Sequence, residues 1–167
     1  MTCRDERADA AMEPDVFEDF VDVVAALIAE DCDFLIVGAH ALAVHGSPRA
    51  TGDLDVFVRP DPQNADRVFR ALVRFGAPVA AHGVRASDFA TPGMVYQMGL
   101  PPRRIDILTE ISGVSFEEAS RAPVLGHLGP HAVKCIGLEA MIANKRATGR
   151  TKDLADAEAL EDIRDGR

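Results

Sequence analysis

Residues 49 to 58 read RATGDLDVFV. The run DLDVFV has the β-branched and aromatic content of a strand, yet it opens on Asp53 and Asp55. Side chains two apart in a strand share a face, about 7 Å from one another along it. Two carboxylates so placed repel each other unless a cation or a proton lies between them, or water at a loop end screens them. The rest of the chain decides between these.

Immediately upstream, FLIVG (34–38) is a second short β-rich run, and AHALAVHG (39–46) is a short helix stopped by Gly46, with Pro48 beyond. Before these, VFEDFVDVVAALIAE (16–30) repeats apolar residues at helical spacing behind Pro14, a residue suited to a first helical position. Residues 1 to 13 read as a flexible leader to a single domain over 14 to 167. Downstream, Asp61-Pro62 opens a helix closing near Gly76, and residues 77 to 92 read as strand fragments and loop. MVYQMGL (94–100) and RIDILTE (104–110) are strands parted by a turn at Pro101-Pro102. SFEEAS (115–120) is a short helix, HAVKCI (131–136) a strand, and GLEAMIANKRATG (137–149) and KDLADAEALEDIR (152–164) are paired helices split at Gly149. Two strands meeting at a tight turn predict an α/β chain on a short mixed sheet flanked by helices, not a purely parallel one.

Composition narrows the function. At 167 residues the chain is long enough to bury a core. The absence of Trp and a single Tyr leave few platforms for stacking bases, and a net charge of −9 disfavours broad binding to nucleic acid. The three cysteines form no CxxC pair, so neither a zinc site nor a disulfide framework is indicated. The polar N-terminal stretch lacks the apolar centre of a signal peptide, and no apolar run approaches a bilayer-spanning length. The expectation is a soluble cytoplasmic protein without a membrane partner.

A third aspartate completes the pattern. Asp106 interrupts an apolar strand between Ile105 and Ile107, where an ionised carboxylate is costly without a partner. If that strand lies beside 53–58, Asp53, Asp55 and Asp106 converge. A hard divalent cation, Mg²⁺ or Mn²⁺, makes such a cluster tolerable, and it binds phosphate oxygens as readily as carboxylates. Upstream, Gly38-Ala39 sits at a strand-to-helix turn whose free N–H groups suit an anion. Arg49 is read equally as a phosphate contact or as a counter-charge to the aspartates, and Thr51 as a phosphate contact. Lys145, Arg150 and Lys152, around the junction of the last two helices, are read either as helix-end cations or as contacts to a triphosphate. Asp153 and Asp156 read as acids at the start of the final helix. His40, His45, Cys32 and Cys135 read as structural, and Tyr96 and Gln97 as candidates for an acceptor side.

FLIVGAHALAVHGSPRATGDLDVFV, with RIDILT and NKRATGRTKDLAD after it, resembles the nucleotidyltransferase superfamily of the polymerase-β type. It looks like small bacterial stand-alone members near the nucleotidyltransferase toxins of abortive-infection systems. The likeness runs over most of residues 33 to 160, with 13 residues between Ala39 and Asp53. It implies a polymerase-β-type fold and a metal-dependent transfer of an NMP group from an NTP such as ATP to an acceptor hydroxyl. Gly38 would cradle phosphates, Asp53 and Asp55 would hold Mg²⁺, and Asp106 would complete the metal site or activate the hydroxyl. Ala39 stands where the family usually has Gly or Ser. The acceptor is a small molecule, a protein or an RNA end, and the short chain leaves room for a homodimer or partner protein to complete the pocket. The alternative is a non-catalytic chain of this fold serving as a regulatory or toxin–antitoxin partner.

Overall fold

The computed structural model describes residues 17 to 167, so the expected leader, Pro14 and the first residue of the expected N-terminal helix lie outside the described residues. Helix α1 (Glu18–Ala29) turns Phe20, Val23, Val24 and Leu27 into the core. It is followed by β1 (Phe34–Val37), α2 (Gly38–Val44) and β2 (Asp53–Val58). Helix α3 (Pro62–Phe75) begins where sequence chemistry places it: the Asp61 carboxylate accepts the Asn64 N–H at 2.7 Å, and Pro62 takes the first turn. Then come β3 (Val95–Met98), β4 (Arg104–Leu108), α4 (Phe116–Ala119), β5 (Val124–Leu128), β6 (His131–Cys135), α5 (Leu138–Thr148) and α6 (Thr151–Asp165).

Among the described residues, six strands form one mixed sheet in the order β3-β4-β2-β1-β6-β5. Strands β2 and β4 are parallel, as are β1 and β6, and the remaining neighbours are antiparallel. The fold class is therefore mixed α/β, with six α-helices among the described residues. Among the described residues no helix is long and apolar enough to cross a membrane.

Alternation along the strands separates two faces. Leu54, Val56, Ile105 and Ile107 point one way, together with Tyr96, whose ring meets Phe89 and His82 edge-on. Asp53, Asp55, Arg104 and Asp106 point the other way, to the side where Phe116 of α4 packs on Phe57.

Two expectations are corrected. Residues 77 to 92 hold no strand; they form turns and a short 3₁₀ segment, Ala86–Ala90, that buries Phe89. Here the Arg85 N–H donates to the Asp88 carboxylate at 2.8 Å. Strand β5 is unforeseen, because Gly126 breaks its apolar pattern. The glycine is a packing requirement: a Cβ there would come within 2.8 Å of Val44 Cγ2.

Candidate active site

The parallel ladder of β2 and β4 sets Asp53 opposite Arg104 and Asp55 opposite Asp106. All four side chains line one cavity of about 850 Å³, within the size range of small-ligand sites. Asp106 is 6% exposed, which gives its charge little water. The Arg104 guanidinium spans the site: Nη2 donates to Asp53 Oδ2 at 2.7 Å, and Nε lies 3.2 Å from Asp106 Oδ1. The second contact lacks hydrogen-bond alignment, so Asp106 Oδ1 and Arg104 Nε are buried without a bonded partner.

One guanidinium does not balance three carboxylates. Burial, then the charges of Asp106 and Asp53, push Asp55 up to about 7. Burial also raises Asp106, against the pull of the Arg104 charge. This is the behaviour of carboxyl groups sharing a site.

Gly38 borders the carboxylates directly. Its φ of +67° is in the left-handed region, and a Cβ there would overlap Asp55 Oδ2. Glycine here admits the Asp55 carboxylate as well as shaping the turn. Ala39 is buried beside it on the cavity wall. The Thr51 hydroxyl is taken up by backbone, accepting the Asp53 N–H at 3.2 Å, while still lining the cavity. Arg49 is a counter-charge, but to a different aspartate from those expected: its Nη1 donates to Asp156 of α6 at 3.0 Å.

The opposite wall comes from the α5–α6 junction. Lys145 is 6% exposed and sits between Asp153 Oδ1 at 3.2 Å and Asp156 Oδ2 at 3.0 Å. Asp153 also accepts Thr148 Oγ1 at 2.8 Å and Arg150 Nε at 2.6 Å. Burial favours a neutral Asp153, but the bonds from Thr148, Arg150 and Lys145 outweigh it and hold the carboxyl below its ordinary range. Asp153 and Asp156 are thus members of a cluster that joins α5, α6 and the loop before β2, more than the helix-start acids expected. Lys152 is exposed at the cavity rim, beside Arg150.

Among the residues expected at an acceptor side, Tyr96 lies on the other face of the sheet, its hydroxyl 3.0 Å from His82 Nδ1. Gln97 pairs with Asp106 across β3 and β4 and shares the carboxylate face. His45 Nε2 meets the Ile136 carbonyl at 2.7 Å, and His40 packs edge-on against Phe20. Cys135 is buried and Cys32 half-buried, and burial pushes their thiols up to about 11 and about 12.

Arg104 is the site residue that reading the sequence missed. The signal was present: it stands two positions before Asp106, and strand period places the two on one face. Among the described residues no three Asp, Glu, His or Cys side chains are arranged as a ready-made metal cage. The guanidinium occupies the space between Asp53 and Asp106. Compared with family models and with curated proteins, the sequence matches none.

Proposed function

We propose that the chain is a metal-dependent nucleotidyltransferase of the polymerase-β type, moving an NMP group from an NTP to an acceptor hydroxyl. The observation that carries this reading is the convergence of Asp53, Asp55 and Asp106 on one cavity, with Asp106 Oδ1 buried and unbonded. Hard carboxylate oxygens, one of them lacking a partner, are the donor set that Mg²⁺ or Mn²⁺ takes. Asp53, Asp55 and Asp106 would hold it. When bound, the ion supplies charge neutralisation and polarises the phosphoryl oxygens.

The chain's own groups do the rest. Lys152 and Arg150 on the rim bind the triphosphate, with Lys145 behind them as part of the wall. The hydroxyl oxygen forms a bond to the α-phosphorus, the bond to the β-phosphate bridge oxygen breaks, and pyrophosphate leaves. The hydroxyl proton passes to Asp106. Positioning and charge stabilisation carry most of such a reaction, which asks for little covalent chemistry from the protein.

The experiment is a calorimetric titration of each of the four NTPs in Mg²⁺ and again in chelator, followed by an assay of pyrophosphate release. Binding should require the metal, since a triphosphate is otherwise repelled by the carboxylates and by a chain of charge −9. Asp53→Asn and Asp55→Asn should each lower pyrophosphate release by at least about 100-fold in a folded protein. Equal affinity with and without metal removes the mechanism.

A second reading rests on Arg104, whose bridge from Asp53 to Asp106 holds carboxylates together without a metal. It makes the chain a non-catalytic regulatory or toxin–antitoxin partner. Failure to bind any NTP under either condition favours it.

A further inference from the structure

We propose that Arg104 is the internal counter-ion of the carboxylate site: it competes with a divalent cation for Asp53 and Asp106 and so sets the metal affinity of the site. The proposal rests on the reading of those carboxylates as metal ligands, and it assigns a function to the residue between them.

Among the described residues, the ion-pair partners of Arg104 are Asp53 at 2.7 Å and Asp106 at 3.2 Å. Both lie on the face where a cation would have to sit. The hold is strong at one end and poor at the other. The Asp53 contact is a well-formed hydrogen bond, whereas Nε and Asp106 Oδ1 face each other out of alignment, both buried and unsatisfied. A buried carboxylate oxygen with no bonded partner is costly, and a cation that bonds it removes that cost.

Charge points the same way. A guanidinium brings one positive charge to three carboxylates and a divalent ion brings two. Arg104 is the group that must give way to the ion. It leaves by displacement, and the open cavity on which it lies gives its long side chain room to turn. Metal entry and guanidinium departure are therefore one exchange, and the affinity measured is that of the ion less that of the arginine. Once displaced, the guanidinium faces the cavity that the triphosphate enters.

The test is a Mn²⁺ titration by calorimetry, without nucleotide, of the wild-type chain, R104Q and R104K. R104Q should bind Mn²⁺ about tenfold more tightly than wild type, and its melting temperature in chelator should be lower. R104K keeps the charge but loses the fork, and should fall between the two. R146Q removes the same charge at the exposed pair with Glu161, away from the cavity, and should match wild type. A folded R104Q with unchanged or weaker Mn²⁺ affinity overturns the proposal, as does an R146Q that gains as much. Should R104Q not fold, R104K decides: tighter binding than wild type supports the exchange, equal or weaker binding overturns it. The two readings fail separately. Pyrophosphate release with unchanged Mn²⁺ affinity in R104Q defeats the exchange alone, whereas tighter Mn²⁺ binding without transfer defeats the transferase reading alone.

Discussion

At the scale of single residues, the site is governed by repulsion. Asp55 is raised to about 7, first by burial and then by its acidic neighbours. A carboxyl raised in the folded state contributes stability that is fully present below the ordinary carboxylate range and lost as pH rises through about 7. Wild type in chelator should therefore lose stability between pH 5 and pH 8. Asp55→Asn should gain on wild type from pH 5 to pH 8, by on the order of 2 kcal/mol. Thermal melts of both proteins at the two pH values measure this, and a variant less stable than wild type at pH 8 would make Asp55 a structural anchor instead. Gly38 belongs to the same account, since its missing Cβ is what lets the backbone lie against that carboxyl.

At the scale of elements, α5 and α6 are tied by buried charge. Helix α5 ends at Gly149, whose left-handed φ of +67° turns the chain so that Thr151 starts α6. This folding-back lays Asp153 and Asp156 over Lys145, and Arg49 fastens the loop before β2 to Asp156. Removing one partner of a buried cluster leaves the other charge unpaired, which costs far more than losing a surface pair. Asp153→Asn should destabilise the protein by about 3 kcal/mol at pH 7. Because the Asp153 carboxyl lies below its ordinary range when folded, its contribution is present above that range and lost as pH falls through the folded value. The gap between wild type and variant should close below about pH 4. Denaturant unfolding across pH checks both the size and the direction.

At the scale of the whole molecule, one hydrophobic cluster runs from Phe20 of α1 through the central strands to Leu160 of α6. Elements sharing a core in this way unfold together in a chain of this size. Tyr96, the chain's one tyrosine in the absence of tryptophan, is buried against Phe89 and His82 on the sheet face away from the carboxylates. Its fluorescence and the far-UV circular dichroism should follow one coincident transition. Separate midpoints would show that the helices α5 and α6 come away from the sheet before the rest.

The sequence by itself determined the parts whose cause is local. Period-two alternation placed Asp53 with Asp55, and the cost of Asp106 among isoleucines foretold a neighbour for it. Asp61-Pro62 and Gly149 marked helix limits because caps and left-handed turns act within a few residues. Residues far apart in the chain met by rules no window of sequence contains. The side-by-side placement of β2 and β4 put Arg104 against Asp53, 51 positions away. The crossing of α6 over α5 made Asp156 the partner of Arg49, 107 positions away, in place of the aspartates that follow Arg49 in the chain. Strand β5 formed because β6 and Val44 required a strand with a glycine at position 126, though its own residues argued weakly for one. Charge in the sequence states how many partners must be found; only packing, which sets distance and burial, decides which ones they are.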